Sequence, residues 1–248
     1  VPEFTDKENG YRYYNIKQNA KLDMIQHFKT LGMSLKEIKE LFDSKNVVSI
    51  LSVLQQKSTQ IHSQMEELIY QEKAIKRLIE SFDRYSSSPP DGTILMEYIN
   101  KRYIYAVDSG INFYDYGLDT YEEILRGLKE SMQTNSLPEI YFYNAGTVLA
   151  KENFEKSHFY STEVFVFVDS EFVGRKNVRT IDSNTYICIY CDKFEKEKQY
   201  ANRLIDEIKS KGYKICGDFI CEVVFEPPVF IDQSRGMLMR LQVPISFK

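Results

Sequence analysis

The chain has no uninterrupted apolar stretch longer than a few residues, far short of the roughly 20 needed to cross a bilayer. No charged-then-apolar leader with a small-residue cleavage site opens it, so a cytoplasmic protein is the plain expectation. A Gly-rich phosphate loop is missing, and so is any long low-complexity tract. Histidine is scarce: His27, His62 and His158 are scattered with no metal-ligand spacing. Cysteine is limited to positions 188, 191, 216 and 221. Cys188 and Cys191 have CxxC spacing, but they sit in the β-type run "YICIYC", where residues three apart point to opposite faces. Free thiols are therefore expected rather than a zinc or redox pair, and no metal or cofactor is expected.

What remains is a core-forming composition. In 248 residues, 43% apolar and 14% aromatic content suffices for one sizeable core or two modest ones. The net charge of −4 is uneven: residues 1–90 hold 13 Lys/Arg against 12 Asp/Glu, and residues 91–248 hold 19 against 24. The first part is not basic enough to indicate nucleic-acid binding from charge alone. The second weakly favours a cation.

The stretch "ENGYRYY" at residues 8–14 carries Asn-Gly, the strongest short hairpin signal, and predicts a two-stranded ribbon around a type I′ turn. Leu22, Ile25, Phe28 and Leu31 then repeat at helical spacing up to Gly32. Ser34 with Glu37 forms a capping box for a second helix bearing Leu35, Ile38, Leu41 and Phe42. Positions 47, 51, 54, 58, 61, 65, 68, 72, 75, 79 and 82 alternate steps of four and three, and nine of these eleven are apolar. That heptad seam predicts a long helix over 45–85 that dimerises as a coiled coil; packing on its own C-terminal part is the alternative. "SSSPPDG" ends the helix and makes a linker at 86–91.

Residues 92–248 alternate strand and helix signals. "ILMEYINKRYIYAVDS", "EIYFYNAGTVLA", "STEVFVFVDS", "TYICIYC", "DFICEVVFEPP" and "MLMRLQVPISF" read as strands. "DTYEEILRGLKESM" and "EKEKQYANRLIDEIKSKG" read as amphipathic helices. The fold class expected is α+β, with a mixed sheet carrying two helices on one face.

Glu222 stands alone as a polar residue in "FICEVVF", a run apolar on both faces. A carboxylate there is costly unless paired. It could be half of a structural ion pair, a neutral hydrogen-bonded acid, or a counter-charge for a cationic ligand.

The order ribbon, helix, Gly turn, capped helix and long helix, filled by "NGYRYY" and "KTLGMSLKEIKELF", resembles the MerR family of bacterial transcription regulators. The resemblance implies a winged helix-turn-helix head over 1–44, here partial, since the helix-turn-helix that precedes the wing is not in the sequence. It also implies a coiled-coil helix over 45–85 and an effector domain over 92–248 that is similar to the GyrI-like domains of multidrug-sensing members. A homodimer would bind promoter DNA with help from that preceding segment. It would act on RNA polymerase indirectly and activate efflux or detoxification genes when a lipophilic cation arrives. Tyr11, Arg12 and Lys29 then fall where the family contacts DNA backbone, and packing is the simpler role for Tyr13 and Tyr14. Glu222 becomes the ligand's counter-charge, with Tyr121, Tyr141 and Phe194 at matching aromatic positions. Tyr143 and Tyr186 are added on pattern, and core packing competes for each, most of all for Tyr186. "EPPVFIDQSRG" departs from the family pattern and would reshape one wall of the pocket. No catalytic residue is expected. The alternative is a GyrI-like hydrolase using Glu222 as base and a tyrosine as acid.

Overall fold

The opening ribbon pairs β1 (Phe4–Thr5) with β2 (Arg12–Tyr13), antiparallel, in the register Phe4 to Tyr13 and Thr5 to Arg12. Its turn is not the expected type I′, which needs positive φ at two successive residues. Gly10 has φ +75°, whereas Asn9 does not lie in that region. The Asp6 carboxylate instead organises a longer loop, accepting from the Glu8 N–H at 2.9 Å and the Asn9 amide at 2.8 Å. A side chain that bonds the backbone two residues on replaces the tight turn.

The computed structural model describes residues 2–44, 47–226 and 237–247. The departure expected in "EPPVFIDQSRG" lies, from residue 227 onward, outside the described residues. Two units are distinguished, Val1–Leu68 and Ile69–Lys248. In the first, α1 (Asn19–Thr30) and α2 (Leu35–Ser44) follow the ribbon. Gly32 closes α1 with φ +75°, which only glycine adopts without strain. The capping box forms: the Ser34 N–H donates to Glu37 Oε2 at 2.6 Å and the Glu37 N–H to Ser34 Oγ at 3.2 Å. Phe28, Met33, Ile38 and Leu41 make a small core, joined by Ile50, Val53 and Leu54. The last three lie on α3 (Val47–Ser87), within which the division between the units falls.

The second unit holds, in chain order, β3 (Ile94–Ile99), β4 (Arg102–Asp108), α4 (Leu118–Thr134), β5 (Gly146–Leu149), α5 (Lys151–Glu155) and β6 (Glu163–Val168). After them come β7 (Val178–Ile181), β8 (Asn184–Cys191), α6 (Glu197–Lys211), β9 (Lys214–Ile215), β10 (Phe219–Phe225) and β11 (Leu238–Ser246). The sheet runs β3-β8-β11-β10-β5-β6-β4-β7, with β9 beside β11. Every described pairing is antiparallel, so the sheet is not mixed as expected. "ILMEYINKRYIYAVDS" is two strands rather than one, β3 and β4. "EIYFYNAGTVLA" is only partly a strand. Glu139–Tyr141 is a 3₁₀ turn, and Asn144 at φ +55° redirects the chain before β5 begins at Gly146.

Helices α4 and α6 cover one face of the sheet. Ile124, Leu128 and Met132 of α4 and Ala201, Leu204, Ile205 and Ile208 of α6 share one core with Cys221 and Val223 of β10. Fully burying each such Leu or Ile contributes about 1.5–3 kcal/mol. Strand residues alternate between faces, so Ile220 and Glu222 point the other way, toward Ile104, Val148 and Phe165. The seam residues Ile61, Met65, Leu68, Ile75 and Ile79 are exposed.

At Gly146 the backbone of β5 lies close against Cys221 of β10 and Phe165 of β6. A Cβ there would lie 2.5 Å from the Cys221 carbonyl and 2.5 Å from the Phe165 ring. Gly146→Ala should therefore lower stability by about 1–3 kcal/mol through overpacking, read as a fall in the urea midpoint with unchanged m-value.

Candidate functional site

On the face away from α4 and α6, a cavity of about 650 Å³ opens between the end of α3 and the sheet. Its walls include Arg77, Ser81 and Arg84 of α3, Arg102 of β4, Tyr141, Tyr143, Asp169, Glu222 of β10 and Arg240 of β11. Two ion-pair clusters fix α3 there. The Asp169 carboxylate takes Arg77, Lys73 at 3.1 Å and the Tyr141 hydroxyl at 2.7 Å. The Arg77 guanidinium also lies 4.2 Å from the Tyr141 ring centroid, a cation–π contact.

The second cluster surrounds Glu222, which is 2% exposed. Its Oε1 meets Arg84 at 2.7 Å. Its Oε2 accepts from Arg240 at 2.8 Å, Arg102 at 3.2 Å and the Gln242 amide at 2.8 Å. The network continues from Arg240 to Glu97 at 2.6 Å and from Arg102 to Gln242 at 3.0 Å. Burial alone would raise the Glu222 pKa, but Arg240, Arg84 and Arg102 outweigh it and hold it at about 2. The carboxylate is thus held ionised, with guanidinium partners at both oxygens. Of the three readings left open, the structural ion pair is the one formed. A carboxylate held that low is a weak base, which counts against the hydrolase alternative.

The other expected ligand residues separate into groups. Tyr141 and Tyr143 line the Glu222 cavity, but from the turn before β5 rather than from a strand face. Tyr186 is buried among Ile99 and Cys188, its ring centroid 5.4 Å from the Arg102 guanidinium, as the core-packing alternative has it. Tyr121 and Phe194 pair with each other at 5.7 Å, and neither lines that cavity. They lie on the helix-covered face, because α4 carries Tyr121 and the turn before α6 carries Phe194. In the first unit, Tyr11, Arg12 and Lys29 are exposed, as residues that touch a partner must be. Cys188 and Cys191 do face opposite sides of β8, one in the cluster with Tyr186 and the other in the main core.

Phe194 opens onto a second cavity, of about 340 Å³, lined by Phe113, Tyr114, Tyr116, Glu195, Glu197 and Lys198. Glu197 is 3% exposed and accepts from the Tyr114 hydroxyl at 2.8 Å. Among the described residues no ion pair forms at its carboxylate. Burial raises its pKa to about 7, opposed by the Tyr114 hydroxyl, the Cys221 thiol and Lys198. Glu197 was overlooked within the charged run "KFEKEKQY". Helical phase gives it away: residues 197, 201, 204 and 208 form one stripe, and the other three are core residues.

Residues 2–45 match the family model described as MerR HTH family regulatory protein. The multidrug-efflux transporter 2 regulator of Bacillus subtilis (strain 168) is 28% identical over 209 residues, 84% of this chain and 74% of that protein. The HTH-type transcriptional activator mta of the same organism is 26% identical over 165 residues, 66% of this chain. The match spans 52% of that relative, about half its length. Among solved structures, the EcmrR–DNA complex in EcmrR-RPo aligns with a TM-score of 0.45 at 16% identity, covering 99% of this chain and 90% of that one. SAV2435 bound to tetraphenylphosphonium aligns with a TM-score of 0.40 at 9% identity, covering 62% of this chain and 94% of that one. The head segment is thus of the MerR type, as its sequence pattern indicated.

Glu222→Gln should be strongly destabilising, by about 3–5 kcal/mol, because it strands buried guanidinium groups. A depressed folded pKa contributes stability that is present above about pH 4.5 and is lost as pH falls through about 2. Acid titrations of stability should therefore show a shallower acid limb in the variant than in the parent chain.

Proposed function

We propose that this protein is a ligand-responsive transcription regulator, with the MerR-type first unit as its promoter-binding part and the second unit as its effector-binding part. The carrying observation is α3. It begins in the MerR-type unit, and its last turns form a wall of the cavity that Asp169 and Glu222 secure by ion pairs. Ligand bound against that wall would bear directly on the helix leading to the head. The resemblance implies that such a shift distorts promoter DNA and so acts on RNA polymerase indirectly. Curated relatives named as a multidrug-efflux regulator and a transcriptional activator support the same reading. Exposed Tyr11, Arg12 and Lys29 are then backbone contacts, which fix register without reading bases. A cytoplasmic location follows from that role.

Aromatic cavity walls and the relatives' names favour lipophilic cations as effectors. Titration with tetraphenylphosphonium should show saturable binding, whereas tetraphenylborate, an anion of the same shape, should bind at least tenfold more weakly. The cation should be recovered intact. Preference for the anion, or turnover of the cation, would overturn the sensor reading.

The exposed seam supports a homodimer through α3. Near its C-terminal end, Tyr70, Lys73, Arg77 and Ser81 turn toward the rest of the second unit, to which they belong. Leu68, Ile75 and Ile79 stand two positions away, about 200° around the helix, and are left exposed. Sedimentation should give twice the 29.2 kDa chain mass. Leu54 packs into the head core, so Ile61 and Leu68 are the cleaner probes. Replacing both with Glu should yield a folded monomer. A parent chain that is monomeric at micromolar concentration would refute the seam.

A further inference from the structure

Two buried carboxylates face cavities in the second unit, and their surroundings differ. Glu222 is enclosed by Arg84, Arg102 and Arg240, so an external cation would have to displace a guanidinium already in contact. Five basic and four acidic side chains line its cavity, which gives a cation no net attraction. Glu197 is equally buried, but hydrogen-bonded only to neutral groups, the Tyr114 hydroxyl and the Cys221 thiol. Its cavity offers the faces of Phe113, Tyr114, Tyr116 and Phe194. Lys198 is the one basic residue lining that cavity, and its ammonium is engaged by the Tyr114 carbonyl. A buried carboxylate needs a counter-charge to ionise at low cost, and aromatic faces attract organic cations.

We propose that the cavity between the Phe113–Asp115 turn and the start of α6 is a binding site for a small aromatic or alkyl monocation, with Glu197 as its counter-charge and Phe194 as its stacking wall. The assignment rests on the effector-sensing reading above and moves the charge recognition from Glu222 to the opposite face of the sheet. A volume of about 340 Å³ fits a monocyclic quaternary ammonium and lies at the small end of ligand cavities.

The site has a signature that Glu222 could not produce. Glu197 titrates at about 7, so a cation that binds its ionised form should expel a proton below that pH. The groups facing it are Tyr114 from the turn, Cys221 from β10, Lys198 on α6 and, further off, Cys191 from β8. Burial pushes the Tyr114 hydroxyl and both thiols well up, so these do not titrate in the same range.

Phenyltrimethylammonium, whose charge is fixed, is the probe, and tert-butylbenzene is its neutral isostere. Calorimetry on the full chain should show affinity for the cation rising about tenfold between pH 6 and pH 8, with proton release near pH 6 seen from buffers of different ionisation enthalpy. Glu197→Gln should abolish the pH dependence and weaken cation binding at least tenfold at pH 8, leaving the isostere unaffected. Phe194→Ala should weaken the cation at every pH alike. Folding has its own readout. A raised carboxylate pKa contributes stability that is complete below about pH 4.5 and is lost as pH rises through about 7. Glu197→Gln should therefore melt higher than the parent at pH 8. Cation binding that is independent of pH and unchanged by Glu197→Gln would overturn this site while leaving the sensor reading standing. Binding of tetraphenylphosphonium with none of phenyltrimethylammonium would do the same. Failure of every cation to bind would overturn both.

Discussion

The second unit is organised around one buried carboxylate that three guanidinium groups keep ionised. Glu222 sits mid-strand on β10 and draws Arg240 from β11, Arg102 from β4 and Arg84 from α3 to two oxygen atoms. The buried carboxylate would be costly alone, and its guanidinium partners offset that cost. The cluster therefore joins a helix to three strands that are not all neighbours in the sheet. The position of the end of α3, the shape of the adjoining cavity and the aim of Tyr141 beside Arg77 all depend on it or on the Asp169 cluster next to it. Such a network specifies geometry more than it adds stability, since an apolar packing of equal volume is often as stable.

Much of this was legible where the physics is local. The Ser34–Glu37 capping box and the Gly32 terminus need only residues within a few positions of one another, and both formed as read. The strand around Glu222 was legible because its neighbours are apolar on both faces. Long-range pairing was not: nothing in "FICEVVF" announces Arg84 or Arg102, and so the ion pair could be left open but its partners could not be named. Tyr141 and Tyr143 misled for another reason. A β-rich composition cannot show that Asn144 takes a left-handed conformation and interrupts the strand. In the ribbon, Asn-Gly was overruled by Asp6, whose side chain supplied competing hydrogen bonds.

The sheet also explains why a single aromatic pocket was the wrong expectation. Tyr121 and Phe194 belong to elements on one face, and Glu222 points from the other, as strand alternation requires. Collecting aromatic residues by sequence pattern joined two places that nine strands keep apart. Each place carries its own carboxylate, one buried among guanidinium groups and one among hydroxyl, thiol and ring. Environment alone gives two glutamates of the same unit opposite acid–base character.

The burial of the Glu222 cluster has a consequence for osmotic stress. Exposed charges such as those of Arg12 and Lys29 interact across solvent and are screened within about 10 Å at 0.1 M salt, whereas pairs made to a carboxylate as buried as Glu222 are screened less. When a dehydrating cell concentrates its ions, an electrostatic grip on phosphate loosens steeply. The architecture of the second unit does not loosen with it. The second unit would stay folded in brine and would not have to refold on dilution.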